Sequence, residues 1–273
     1  MTKPPNRLEW GGGHDFRIRP YMSDSPPPAF EGAPSKAFVL IASAGIGSRA
    51  GGPVDLPKQY QLLCGQAVIL HTLKVFQALP DLVGGVAVAV APQDAFIAPL
   101  LEGRSEIILR CGGATRADTV RQGLQDWQQR PGGPGPDDWV LVHDAARCLI
   151  EPALVRRLIG QCQHDAVGGL LALPLPDTLK AERGGRVVQT LDRSGKWLAQ
   201  TPQMFRCGAL VGALEKARSS AFPVTDEASA MEAQGLAPML VPGSARNFKI
   251  TYPEDFSLAQ AVLQVQSAWA SPS

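Results

Sequence analysis

From residue 37 onward, short β-rich apolar runs alternate with helical stretches, and this alternation limits the possible folds more than any other feature of the sequence. It is the pattern of a mostly parallel sheet covered by helices on both faces: strands buried on both sides read as unbroken apolar runs, and each parallel return needs a crossover. Strands are expected at residues 37–42, 83–90, 106–109 and 139–142. Helices are expected at 67–79, with apolar residues at 69, 70, 73 and 76, and at 115–127, where Ala117, Val120 and Leu124 share a face. The run at 139–142 ends in His143-Asp144, and polar residues at strand ends are where such sheets hold their ligands.

Residues 177–199 break the alternation. Strand-like pieces at 178–180, 186–191 and 197–199 are separated by Gly184-Gly185 and Ser194-Gly195, which predicts β-hairpins projecting from the sheet as an arm. Leu179, Val187, Val188, Leu191 and Trp197 would be exposed there. Isolated hairpins are unstable in water, so the arm needs a partner surface, and a second copy of the chain is the economical one. The run Thr251-Tyr252-Pro253-Glu254 has capping-box spacing and predicts a last helix reaching about Trp269. Residues 1–35, with seven Pro, four Gly and no sustained periodicity, read as a disordered leader ahead of one domain over 36–273.

Composition removes several classes of function. Twenty-six Lys and Arg against 25 Asp and Glu leave a formal charge of +1, too little to draw the chain to nucleic acid or to an anionic membrane. The apolar runs fall well short of the roughly 20 residues of a membrane-spanning helix. Cys64, Cys111, Cys148, Cys162 and Cys207, odd in number and without a C-x-x-C pair, suit free thiols in the cytoplasm better than a zinc site or a disulfide framework.

Three stretches carry chemistry. The first strand leads into Ala42-Ser43-Ala44-Gly45-Ile46-Gly47-Ser48-Arg49, followed by Pro57-Lys58-Gln59-Tyr60. Glycines let backbone N–H groups approach phosphate oxygens, and Arg49 and Lys58 add the cations a triphosphate needs. Dehydrogenase and P-loop ATPase readings are disfavoured, because Ala50 stands where the dinucleotide fingerprint needs glycine and Pro57-Lys58-Gln59 where the Walker pattern needs Gly-Lys-Ser/Thr. The second stretch, 112–120, opens a helix with small residues and Thr119 and suits a base or a sugar, though taken alone such a stretch is more often simply a capped helix. The third is His143-Asp144-Ala145-Ala146-Arg147. Asp144 at a strand end suits a hard cation such as Mg²⁺, which takes one or two carboxylates plus phosphate oxygens. His143, on a buried strand, reads as a satisfied structural histidine.

Taken in this order, the stretches resemble the 2-C-methyl-D-erythritol 4-phosphate cytidylyltransferase family. The family's Ala-Ala-Gly-x-Gly-x-Arg loop corresponds to 43–49, its Pro-Lys-Gln-Tyr to 57–60, its Gly-Gly-x-x-Arg-x-x-Ser/Thr-Val to 112–120 and its His-Asp-Ala-Ala-Arg to 143–147. Residues 176–180, 190–193, 201–205, 225–229 and 247–249 agree as well, so the likeness covers about 36–268. Ser43, Cys148 and Arg246 stand where Ala, Pro and Asp are usual, and none of them removes a group the chemistry requires.

The resemblance implies an α/β, Rossmann-like nucleotidyltransferase fold and transfer of CMP from CTP to 2-C-methyl-D-erythritol 4-phosphate in isoprenoid precursor synthesis. It further implies that Ala44, Gly45, Gly47, Gly113, Arg116, Thr119 and Ala145 bind CTP, with Gly113, Arg116 and Thr119 framing the cytosine and ribose. Arg49, Lys58, Arg193 and Lys249 would be catalytic. Arg147, Thr178, Arg193 and Lys249 would hold the sugar phosphate, and Asp144 would hold Mg²⁺ or another divalent cation. The implied assembly is a homodimer through the arm, with Thr178 and Arg193 reaching the neighbouring site. Two other readings are a ribitol 5-phosphate cytidylyltransferase on the same sheet and a non-catalytic nucleotide-binding module. Ala146 and Arg116-Ala117-Asp118 favour the methylerythritol enzyme over the first, and the joint presence of Arg49, Lys58, Asp144, Arg193 and Lys249 disfavours the second. Fusion to the later cyclodiphosphate synthase is not expected, because the chain ends with its last helix.

Overall fold

The computed structural model describes residues 36–45, 56–220 and 223–270. The expected leader and two expected site residues, Gly47 and Arg49, lie outside the described residues. Strand β1 (Ala37–Ala42) is followed by a short 3-10 turn at Lys58–Tyr60, the small ladder of β2 (Leu62–Leu63) with β3 (Gln66–Ala67), and helix α1 (Val68–Gln77). Next come β4 (Val83–Ala89), α2 (Ile97–Leu100), β5 (Ile107–Leu109), α3 (Arg116–Gln128), β6 (Trp139–Asp144), α4 (Pro152–Cys162) and β7 (Gly168–Pro174). The remainder is β8 (Leu179–Arg183), β9 (Arg186–Leu191), β10 (Trp197–Arg206), α5 (Cys207–Ser219), α6 (Glu227–Glu232), β11 (Met239–Pro242) and α7 (Pro253–Ala270).

Seven strands form one sheet in the order β11-β7-β10-β6-β1-β4-β5. Within it β10 runs antiparallel to both neighbours, and the other pairings are parallel. The two-residue period of a strand sends Val39 and Ile41 of β1 and Trp139 and Leu141 of β6 into one apolar layer, shared with α1 and α4. Leu40, Val140 and Val142 enter the opposite layer with α3, α5 and α6. A third cluster, in which Ala259 of α7 meets Leu63, Cys148, Leu149 and Ile250, packs under the exit from β6. Full burial of each large aliphatic side chain in such layers contributes about 1.5–3 kcal/mol, so the centre of the sheet is a rigid base for whatever sits on its rim.

β6 runs to Asp144, so the strand carries His143 and ends on Asp144 as expected. The structure corrects two details. Residues 197–199 are not a hairpin piece of the arm: Trp197 pairs with Pro174 and opens a ten-residue strand whose last residue, Arg206, pairs with Trp139. The arm's ladder is the β8–β9 hairpin, in which Val187 and Val188 are exposed while Leu179 and Leu191 are half-buried. The cap of α7 is also different. Asp255 Oδ2 accepts from the Thr251 and Tyr252 amides at 2.7 and 2.8 Å, and the Thr251 hydroxyl donates to the Lys249 carbonyl instead of capping the helix.

Candidate functional site

The carboxyl ends of β4, β1 and β6 lie level, with Ala42 paired to Ala89 on one side and Asp144 on the other. That is where a doubly wound sheet leaves a crevice. A pocket opens there, lined by Ser43, Ala44 and Gly45 beyond β1, Lys58, the entry to α3 at Gly113 to Arg116 and Thr119, the exit of β6 at Asp144 to Ala146, and Lys249. Of the expected site residues among those described, the fold therefore brings together Ala44, Gly45, Lys58, Gly113, Arg116, Thr119, Asp144, Ala145 and Lys249.

Each wall has a local cause. Gln59, buried, donates from Nε2 to the carbonyls of Ser43 (3.0 Å) and Gly45 (3.1 Å) and so fixes the path of the chain leaving β1. Lys58 Nζ donates to the Ile250 carbonyl at 2.7 Å, next to Lys249. A Cβ on Gly112 would lie 2.3 Å from Ala44 Cβ, so the two rims approach this closely only over glycine. Thr115 caps α3 by accepting from the Asp118 amide. The Thr119 hydroxyl donates to the Thr115 carbonyl and accepts from the Gly113 amide at 3.1 Å.

Charge converges on Asp144. Its Oδ1 accepts from Arg116 Nε at 2.7 Å, and its Oδ2 lies 2.9 Å from Lys249 Nζ and 3.7 Å from Arg147 Nε. Burial opposes ionisation here, but Arg116, Lys249 and Arg147 together hold the carboxyl well below the usual carboxylate range. Arg116 also forks onto a second acid, with Nη1 and Nη2 at 2.6 and 3.1 Å from the two oxygens of Glu227. Burial pulls the guanidinium pKa down, and Glu227 and Asp144 more than reverse that. Arg147 is held from the other side by the Asn247 carbonyl, which accepts from Nη1 at 2.7 Å.

His143 faces away from the pocket's chemistry. Its Nε2 lies 3.2 Å from the Arg147 carbonyl, which can only accept, so that nitrogen carries the proton. Nδ1 is then bare and accepts from the Thr201 hydroxyl at 3.0 Å, while Thr201 Oγ1 in turn accepts from the Asp144 amide at 3.1 Å. Burial pushes the imidazole down to about 3, in keeping with a neutral structural histidine.

Thr178 and Arg193 are not at this pocket: both are exposed on the arm, and Arg193 Nη1 donates to the Pro176 carbonyl. Arg246 pairs with Glu151, and all five cysteines are free. Two contributors had no assigned role in the sequence reading. Gln59 lies in a motif that singled out only its neighbour Lys58, and Glu227 lies in the 225–229 motif, whose partner Arg116 is 111 positions away.

Against this geometry, the sequence model of the 2-C-methyl-D-erythritol 4-phosphate cytidylyltransferase (IspD) family matches residues 37–265. The chain belongs to this cytidylyltransferase family. The family's 2-C-methyl-D-erythritol 4-phosphate cytidylyltransferase of Bordetella pertussis is 50% identical over 226 residues, covering 82% of this chain and 96% of that protein. A bifunctional IspD/IspF enzyme of Albidiferax ferrireducens is 54% identical over 90% of this chain, which spans 58% of that protein's length. The crystal structure of the Francisella tularensis cytidylyltransferase is 34% identical, with a TM-score of 0.71 over 83% of this chain and 99% of that one. The cytidylyltransferase described here is thus a nucleotidyltransferase of isoprenoid biosynthesis, moving a cytidylyl group from CTP to 2-C-methyl-D-erythritol 4-phosphate.

Proposed function

We propose that the pocket at the ends of β1, β4 and β6 performs this transfer by alignment and charge neutralisation, without a general base. A phosphate oxygen of the sugar phosphate forms the new bond to the α-phosphorus of CTP, the bond to the β-phosphate oxygen breaks, and pyrophosphate leaves with that electron pair. The nucleophile is already anionic, so the barrier comes from orientation and from charge building on the α-phosphate and leaving group. Amides of Ala44, Gly45 and Gly47 receive phosphate oxygens, and Lys58 and Arg49 stabilise the crowded phosphorus. Gly113 and Thr119, with the start of α3 at Arg116 and the backbone at Ala145, form the wall for ribose and cytosine. Lys249 and Arg147 face the sugar phosphate. The observation that carries this reading is one acid, Asp144, surrounded by Arg116, Lys249 and Arg147 and level with the chain leaving β1.

A divalent cation fits this donor set. Among the described residues no three acidic, His or Cys side chains converge, but a magnesium site beside a triphosphate needs only one or two carboxylates, with phosphate oxygens and water as the other ligands. Asp144 supplies that carboxylate through Oδ2, from which Lys249, more than a third exposed, can withdraw. When bound, the cation lowers the negative charge that the nucleophile must approach. Asp144→Asn should raise the Mg²⁺ requirement or abolish pyrophosphate release, and full activity in excess chelator would overturn the metal assignment.

The finer setting is proposed on the same footing. Five free thiols and the lack, among the described residues, of a helix long and apolar enough to cross a membrane favour the cytoplasm. Val187 and Val188, exposed on the arm, favour a homodimer in which Thr178 and Arg193 complete the partner's site. Mixing inactive Arg193→Ala with inactive Lys58→Ala should restore activity through heterodimers, and a dead mixture after verified subunit exchange refutes shared sites. Pyrophosphate release with CTP against ATP, GTP and UTP, each with methylerythritol phosphate and ribitol phosphate, tests the substrate pair. Preference for ribitol phosphate would overturn it.

A further inference from the structure

Glu227 is a buried acid that the reaction does not use directly. Its carboxylate side chain is 1% exposed, at the first position of α6, and both oxygens engage the Arg116 fork. Its placement is tied to the sheet rather than to the pocket. Gln203 of β10 donates to Asp226 Oδ2 at 2.8 Å and accepts from the Ala228 amide at 2.8 Å, gripping α6 on both sides of Glu227. Gln203 pairs with Val142, two residues before Asp144. The elements close a ring: β6, which ends in Asp144, pairs with β10, Gln203 of β10 grips α6 on either side of Glu227, and Arg116 of α3 joins Glu227 back to Asp144.

We propose that Glu227 is a positioning residue that divides the Arg116 guanidinium, so that Arg116 commits only one oxygen of Asp144 and leaves the other for the cation carried by the reacting phosphates. The inference rests on the role given to Asp144 above. A guanidinium facing a single carboxylate prefers to fork across both of its oxygens. With Nη1 and Nη2 held by Glu227, Arg116 has only Nε for Asp144, and it meets Oδ1. Oδ2 then faces Lys249, at 2.9 Å and more than a third exposed, with Arg147 Nε farther off at 3.7 Å. Without Glu227, Arg116 turns to take both Asp144 oxygens, and the acid is lost to the incoming ligands.

The test is a cycle of Glu227→Gln, Arg116→Lys and the double variant, each read by kcat, by KM for CTP and by the affinity of Mn²⁺ for the enzyme–CTP complex from water-proton relaxation. Glu227→Gln should lower kcat at least tenfold, weaken Mn²⁺ at least fivefold and leave the CTP KM within threefold. In the Arg116→Lys background, which has no fork to divide, it should change kcat by less than twofold. A kcat within twofold of wild type for Glu227→Gln overturns the proposal, as does an undiminished effect in the Arg116→Lys background. If Glu227→Gln does not fold, Glu227→Asp decides in its place: one methylene shorter, it keeps the charge but cannot hold both Nη1 and Nη2, and wild-type kcat and Mn²⁺ affinity in that variant overturn the proposal. Wild-type kcat in Asp144→Asn would instead overturn the role of Asp144, so the two failures are told apart.

Discussion

Replacing His143 by asparagine should flatten the acid side of the stability curve while leaving the pH dependence of turnover alone. In the unfolded chain the imidazole titrates near 6.5, whereas burial in the folded protein pushes it down to about 3. Below 6.5 the unfolded state therefore takes up a proton that the folded state refuses. The folded-state pKa is depressed, so stability is fully present above about 6.5 and falls as the pH drops toward 3. The slope approaches about 1.4 kcal/mol per pH unit, and by pH 5 the accumulated loss is about 2 kcal/mol. His143→Asn keeps an acceptor for the Thr201 hydroxyl and has no proton to gain, so its stability should fall about 2 kcal/mol less between pH 7.5 and pH 5. Urea unfolding at a series of pH values measures both curves, and the other histidines cancel in the comparison. Parallel curves would refute the neutral, buried assignment. Loss of an acid limb of kcat in the variant would make His143 an acid or base in the reaction.

Three further outcomes follow from the pocket. Lys58→Ala should lower kcat by about 10²–10³ with little change in CTP affinity, because its charge acts on the transition state; near-wild-type turnover in a pyrophosphate-release assay would falsify that role. Gln59→Leu keeps the volume but frees the Ser43 and Gly45 carbonyls, so calorimetry should show CTP binding weakened at least tenfold, and unchanged affinity would mean the chain after β1 holds its path unaided. Gly112→Ala places a methyl 2.3 Å from Ala44 Cβ and must part the rims, so kcat/KM for CTP should fall about 10²-fold with an intact circular dichroism spectrum; wild-type kcat/KM would show that the rims tolerate the separation.

The sheet was legible because β1, β4 and β6 are buried on both faces and their apolar runs have no alternative use. Lys58, Asp144 and Lys249 were legible because short motifs resemble those of one family, and the pocket brings these residues together. β10 was not. Gln200, Thr201 and Gln203 are polar and flank Pro202, and proline argues against a central strand. In the fold these glutamines and the threonine are buried and spend their polarity on one another's neighbours: Gln200 Oε1 accepts from Asn247, Thr201 from Asp144, and Gln203 bridges to α6. Glu227 stayed hidden for a related reason. An acid opening a helix is ordinarily a solvated helix-start residue, and nothing in local spacing points to an arginine more than a hundred positions upstream.

β10 has a mechanical consequence. Its first residue, Trp197, pairs with Pro174 at the base of the arm, and four residues on, inside a register shift between Ala199 and Gln203, Thr201 holds the amide of Asp144 and the ring of His143. The arm and the charged centre thus hang on the same short rod. The two ends of the arm differ in what they tolerate. Lengthening the tip at Gly184-Gly185 alters nothing that β10 carries, whereas one extra residue at Leu198 has to be taken up either in the Trp197–Pro174 pairing that seats the arm or in the register of Thr201 and Gln203, which hold Asp144 and α6.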